Sequence, residues 1–327
     1  MHFSISILHT HPLHYDYKKV LEAVGMEKKH LTLPIIVQEG AGESQIPSIS
    51  GIAKIPLKKI TEQIHKVIDA GISSIIIFGI PQNRNEKGSS AIDKNGVVQQ
   101  TLRKLKKEFG DRLNIITDVC LCQYNFSGHC GLIDNNRIDN DSTLNLLSEI
   151  AVSHAEAGAD AVAPSSMMDG QVYFIKSSLK RRGFAKSKVF SYSAKQLSSL
   201  YAPFRLAAFS KTCRRNKIDK SSYQIAYTNP RQILREVETD INEGADMVMV
   251  KPGLVSLDLI HMIKEKFCFP VAVQNVSGEY VMIKDAAMHK WIEEETWKVN
   301  SIASIKRAGA DTIISYYSMN IAKYMDG

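Results

Sequence analysis

EGADMVMVKPG (243–253) decides how this chain folds. Gly244 follows a helical segment and can take the left-handed cap conformation open to glycine. Ala245 and Asp246 then lead into the run 247–250, continuously apolar as in strands covered on both faces. Lys251 stands at the end of that run, and Pro252 and Gly253 close it at once. The same order of glycine, alanine, aspartate and apolar strand recurs in AGADAVAPS (157–165) and AGADTIISYY (308–317), with a looser copy in DAGISSIIIFGIP (69–81). Each copy is the junction from helix to strand in a repeating βα unit.

Outward from these junctions, strands are expected at 33–40, 73–81, 113–122, 159–165, 188–195, 245–253, 270–278 and 310–317. Segments with helical periodicity separate them, among them 57–71, 142–158 and 229–244. Eight such units predict an α/β protein, a (β/α)8 TIM barrel. An open doubly wound sheet is the alternative, but no glycine-rich phosphate turn follows the first strand. No linker rich in Pro, Gly or Ser divides the chain, so an N-terminal arm over 1–25 and a single TIM-barrel catalytic domain over 26–327 are expected. The two long excursions, 78–96 and 201–227, follow strand C-termini, where a barrel carries its active-site loops.

The 327 residues are 44% hydrophobic and 23% charged, ordinary for a soluble globular protein. No apolar run approaches the roughly 18 residues of a membrane span. The start, MHFSISILHTHPLHYDYKK (1–19), lacks the basic opening and small-residue cleavage site of a signal peptide. These features predict a cytoplasmic protein with no membrane partner. The net charge is +7, but the bases are interleaved with acids, as in LRKLKKEFGDR (102–112). The densest cluster, KTCRRNKIDK (211–220), has no aromatic platform beside it, so no nucleic acid is expected as a partner. Cys120, Cys122, Cys130, Cys213 and Cys268 are odd in number, which argues against a disulfide framework.

A barrel gathers its strand ends at one mouth. Here those ends carry Lys195, Lys251, Asp118, Cys120, Cys122, Ser165, Ser277 and Tyr316. A lysine in such a place suits imine formation with a ketone. Only the neutral amine attacks, so its pKa must fall from about 10.4 towards neutrality. An apolar pocket and a second ammonium both press in that direction, and two lysines in one mouth supply both. One lysine would suggest a class I aldolase; two suggest two ketones held together. Cys120 and Cys122 are expected on one side of a strand, with Cys130 returning from the loop, and His129 is a possible fourth ligand. Three thiolates leave one tetrahedral position open, as in catalytic zinc. SISILHTH (4–11) imitates the His-X-His of barrel metallohydrolases, but it precedes the eight strands and nothing later completes that site.

DVCLCQYNFSGHCG (118–131), HAEAGADAVAPSSMMDG (154–170), SYSAK (191–195) with YAPFR (201–205), EGADMVMVKPG, VSGEY (276–280) and IKRAGAD (305–311) with SYY (315–317) follow one another in this order. Over 33–317 the chain thereby resembles the porphobilinogen synthase, or 5-aminolevulinate dehydratase, family. The resemblance implies a hydro-lyase of tetrapyrrole (heme) biosynthesis that joins two 5-aminolevulinate molecules with loss of two waters. It implies Schiff bases on Lys251, for the first substrate, and on Lys195, for the second. Arg205 and the lid residue Lys220 would bind the second substrate's carboxylate, with Tyr201 and Gln224 beside it. Ser277 and Tyr316 would bind the first substrate's carboxylate, and Asp118 and Ser165 would lie near its amine. Cys120, Cys122 and Cys130 match the zinc-dependent members, and Glu236 matches an allosteric magnesium ligand. A homo-oligomer, an octamer, is the family's assembly.

This sequence also departs from the family. Lys220 stands where arginine is usual, keeping the charge but losing the bidentate fork. Ser166 and Gln171 replace an aspartate and an arginine, Gln274 replaces a tyrosine, and the Arg-rich arm segment is missing. A non-catalytic zinc- or pyrrole-binding barrel and another aldolase-like Schiff-base lyase are the alternatives. Retention of both lysines and all three cysteines weighs against the first.

Overall fold

The computed structural model describes residues 15–40, 42–208 and 218–326. SISILHTH, Cys213 and most of the basic cluster 211–220 lie outside the described residues. Eight parallel strands form the barrel: β1 (Leu31–Gln38), β2 (Ser74–Ile80), β3 (Asn114–Val119), β4 (Ala161–Pro164), β5 (Lys188–Lys195), β6 (Met247–Lys251), β7 (Val271–Gln274) and β8 (Thr312–Ile314). Each pairs with the next, and β8 closes on β1 through Leu31↔Ile313 and Thr32↔Ile314. The result is the expected (β/α)8 barrel.

The strands can be apolar along their whole length because helices cover their outer faces. Every residue of β2 is buried. The following helices turn one stripe inward; in Ile60–Asp69 it is Ile60, Ile64 and Val67, at the i, i+4, i+7 spacing. Among the described residues, four short strands lie outside the eightfold count: Ser44–Gln45, Ala53–Pro56, Leu132–Asp134 and Arg137–Asp139. The last two form a hairpin directly after the cysteine loop.

The repeated Gly-Ala-Asp motif is the device that sets strand register at the N-terminal rim. Asp160 donates its backbone N–H to the Ile115 carbonyl at 3.0 Å, while its Oδ2 accepts the Ile115 N–H at 2.7 Å. Asp246 does the same with Val189, at 2.9 and 2.7 Å. Asp311 repeats it with Val271, at 2.9 and 2.8 Å. A lysine from a helix completes each clasp: Lys106 with Asp160 at 2.7 Å, Lys264 with Asp311 at 2.9 Å, and Lys176 with Asp246. The glycine two residues before each aspartate has positive φ, and Gly158 and Gly309 also make room for the lysine. A Cβ on Gly158 would lie 2.9 Å from Lys106 Cγ, and one on Gly309 2.7 Å from Lys264 Cγ. The looser copy at 69–81 has Ser73 in place of the aspartate, and Ser73 takes the Asn114 N–H on its backbone carbonyl at 2.8 Å.

Of the arm expected over 1–25, residues 1–14 lie outside the described residues. The remainder forms a helix, Tyr17–Ala23, capped by Asp16, whose side chain accepts from Lys19 N at 3.1 Å. It buries Leu21 and packs along the helix Glu294–Arg307. Tyr17 reinforces that contact by donating to Glu293 Oε1 at 3.1 Å.

Candidate active site

Lys195 and Lys251 are register partners across β5 and β6. Neighbouring strands run about 4.8 Å apart, so two amines leave adjacent strand ends into the same mouth. Their surroundings differ. Lys195 Nζ donates to the Ser165 carbonyl. Lys251 Nζ stands over the rings of Tyr201 and Tyr192, 5.1 and 5.2 Å from their centroids. The Tyr201 hydroxyl lies 2.6 Å from the Gln196 carbonyl oxygen and 3.0 Å from that of Lys251, fixing the turn beneath the amine.

Burial and then the Lys195 charge lower the Lys251 pKa to about 7. Lys195 departs from the sequence-based expectation. Burial presses its pKa down, but Cys130, Cys120, Cys122 and Asp118 outweigh it, and the net shift is upward. The two lysines are thus an electrostatically unequal pair, one with its pKa lowered to about 7 and the other with its pKa raised.

The cysteines require a correction. β3 ends at Val119, so Cys120 and Cys122 lie in the turn beyond it rather than on one side of a strand. The loop folds around Asn125, whose Oδ1 accepts from Ser127 Oγ at 3.0 Å and Gly128 N at 2.8 Å, and whose Nδ2 donates to the His129 carbonyl at 3.0 Å. This brings Cys130 back until the three sulfurs lie within 4.8 Å of one another. Among the described residues this is the group of three or more Cys, His, Asp or Glu donors close enough to hold one ion. Three soft, converging donors fit a zinc-type ion with one position left open. The Cys120 and Cys122 thiols donate to Cys130 and pull it well below the ordinary thiol range, with Lys220 and Lys195 acting in the same direction against burial. His129 is not in the group; its Nδ1 faces the Tyr223 hydroxyl at 3.1 Å.

Two adjoining cavities meet at Lys251. The larger is lined by both lysines, Asp118, Ser165, Cys122, Cys130, Tyr201, Arg205, Lys220 and Gln224. The smaller is lined by Lys251, Tyr201, Gln274, Ser277 and Tyr316. Phe78 and Phe204 belong to both walls. Asp118 accepts from Gln123 Nε2 at 2.9 Å, and burial raises its pKa. Ser277 opens a helix rather than ending a strand, and its Oγ accepts from Phe204 N at 3.1 Å. Arg205 stacks over the Tyr201 ring at 5.5 Å. Gln274 accepts from the Tyr192 hydroxyl at 3.0 Å.

Glu236 is not brought to this mouth. It sits on the helix Pro230–Asn242, its pKa raised to about 7 by burial and by Asp240, Asp169 and Glu243. Sequence reasoning missed Glu279, a buried carboxylate that accepts from Val276 N at 2.5 Å, Gly253 N at 3.3 Å and Leu254 N. It ties the turn after Lys251 to the helix that carries Ser277. Its carboxylate caps the helix by accepting the Val276 N–H, but valine has no side-chain acceptor to return the bond, so no capping-box motif marked it in the sequence.

A model of the family described as delta-aminolevulinic acid dehydratase matches residues 11–324. A curated delta-aminolevulinic acid dehydratase of Archaeoglobus fulgidus is 46% identical over 300 residues, 91% of each chain. That of Bacillus subtilis is 38% identical over 309 residues, 94% of each. Among solved structures, the delta-aminolevulinic acid dehydratase (porphobilinogen synthase) of Toxoplasma gondii, in complex with the reaction product porphobilinogen, superposes with a TM-score of 0.89 at 33% identity, covering 96% of this chain and 92% of that one.

Proposed function

The chain belongs to the delta-aminolevulinic acid dehydratase family, and from that premise we propose how its own residues join two 5-aminolevulinate molecules into porphobilinogen. The observation that carries the reading is the register pairing of Lys195 and Lys251 at a mouth shared with the thiol trio. Lys251, with its pKa near 7, is the amine ready to attack the first substrate's ketone. Its imine forms with loss of one water. Ser277 and Tyr316, at the far end of the smaller cavity, receive that substrate's carboxylate.

The second substrate occupies the larger cavity, its ketone at Lys195 and its carboxylate at Arg205 and Lys220, with Tyr201 and Gln224 as walls. Imine formation at Lys195 loses the second water, and ring closure, by one carbon–carbon and one carbon–nitrogen bond between the two substrates, then expels both lysine amines without further loss of water. Asp118, whose raised pKa lets it hold a proton, serves as the acid or base beside both amines, with Ser165 next to it. Holding both molecules on lysines replaces a bimolecular encounter by a positioned one. Cys120, Cys122 and Cys130 would hold zinc, which when bound supplies a Lewis-acid centre beside Lys195.

The chain is read as one catalytic barrel, 26–327, with an arm over 1–25. Glu236, among other carboxylates at the surface, would take magnesium where a second protomer supplies further oxygens in a homo-octamer. Among the described residues no helix is long and apolar enough to cross a membrane; a cytoplasmic location without nucleic-acid partners accords with the dispersed charge. The test is incubation of the pure protein with 5-aminolevulinate and an assay of the pyrrole product, with and without a chelator. Pyrrole formation abolished by chelation, and likewise by Cys120→Ala, with the circular dichroism spectrum retained, is the expected result. A zinc-loaded protein that forms no pyrrole would favour a binding barrel or another Schiff-base lyase.

A further inference from the structure

Tyr223 has no part in the chemistry above, yet it joins two parts of the site that are far apart in sequence. Its hydroxyl accepts the Cys130 backbone N–H at 3.3 Å and lies 3.1 Å from His129 Nδ1. The two rings also meet edge-on, with centroids 5.9 Å apart. The bond to Cys130 falls on the backbone of the very residue that must return to complete the thiol trio.

On its other side Tyr223 sits in a compact turn. Tyr223 N and Gln224 N both donate to the Lys220 carbonyl, at 3.2 and 2.9 Å. Lys220 and Gln224 are buried and face the larger cavity. One residue further on, the Ile225 carbonyl accepts from Leu197 N at 2.9 Å, anchoring the turn directly after Lys195. The turn is therefore attached to the end of β5, to the Cys130 backbone through Tyr223, and to the Cys130 sulfur through Lys220 Nζ at 4.0 Å.

We propose that Tyr223 is a positioning residue that couples metal occupancy of the thiol trio to the seating of Lys220 and Gln224 over the substrate cavity. This rests on the zinc reading of the trio. An ion that fixes Cys130 also fixes the N–H on which Tyr223 is hung; a seated turn holds Cys130 where the ion needs it. Such coupling is reciprocal.

The experiment uses the full-length chain with Tyr223→Phe, which removes the hydroxyl and keeps the ring. Cobalt titration followed by the thiolate charge-transfer band, zinc competition, and steady-state kinetics with 5-aminolevulinate are compared with the parent. Expected are roughly 10-fold or greater weakening of both metals, the range for lost supporting contacts, and a KM that rises more than kcat falls. Metal affinity and KM both within about twofold of the parent, in a variant of unchanged melting temperature, would overturn the coupling alone. A parent that takes up neither metal would overturn the trio reading and the coupling with it. Should Tyr223→Phe fail to fold, tryptic cleavage after Lys220 in the parent supplies the test: slower cleavage with zinc supports the coupling, and equal rates overturn it.

Discussion

At the N-terminal rim Lys106, Lys176 and Lys264 each meet the aspartate that opens a strand. At the mouth Lys195 meets a carbonyl and Lys251 faces two aromatic rings. One residue type thus serves two ends of one barrel. A lysine clasped by a carboxylate organises backbone at one rim; at the other, burial and the neighbouring Lys195 charge bring the Lys251 pKa down to about 7. The division follows the general rule that the N-terminal face of such barrels carries stability and the C-terminal face carries chemistry.

The largest expected effect comes from making the same substitution at both rims. Lys251→Arg keeps a cation but offers no free amine, so turnover should fall by at least roughly 10³-fold, as on losing a covalent nucleophile, with the fold retained. Lys106→Arg keeps the charge that its clasp needs and should leave turnover near the parent value. Borohydride reduction in the presence of 5-aminolevulinate should place the substrate's mass on the MVKPG peptide of the parent and not of Lys251→Arg. A folded Lys251→Arg enzyme with near-parental turnover would erase the contrast.

A smaller effect should appear from the other side. Asp160→Ala removes the acceptor of both the Ile115 N–H and Lys106. It should cost about 1–3 kcal/mol, the range for a buried donor left without its partner, and leave kcat unchanged in protein that remains folded. Chemical denaturation and steady-state kinetics on the same preparation check this. Loss of kcat at unchanged stability would mean that the N-terminal rim takes part in the chemistry after all.

These two regions were not equally legible in the sequence. The barrel was, because Gly-Ala-Asp followed by an apolar run is a local signal, and all eight expected strands formed. The role of the aspartate was not, since its lysine partner comes from a helix 47 to 70 residues away. At the mouth the strand-tip lysines and the cysteine loop stood out as residue types in unusual places. Their inequality did not: whether an amine sits near thiols or near aromatic rings depends on neighbouring strands, and only the fold brings Tyr192 and Tyr201 to Lys251. Glu279 and Tyr223 were missed for the same reason, each acting on backbone groups of a distant loop.

A last effect is expected on stability and has a definite sign with pH. Lys251 has an ordinary pKa of 10.5 when unfolded and about 7 when folded, lowered first by burial and then by Lys195. Between those values the unfolded chain holds a proton that the folded chain lacks, so this group makes stability rise with pH across that window. Below pH 7 both states are protonated, and the whole penalty of a buried ammonium is present. Lys251→Met removes the group and packs a side chain of similar length against Tyr192 and Tyr201. It should therefore melt above the parent at pH 6, and its advantage should shrink steadily as pH approaches 10. The parent's rate at low substrate should fall below pH 7 for the same reason, since the proton that destabilises the fold also blocks the nucleophile. Calorimetric melting of both proteins across this range decides the matter. A Lys251→Met variant less stable than the parent at every pH would mean that the amine is held as part of the packing, like the lysines of the other rim.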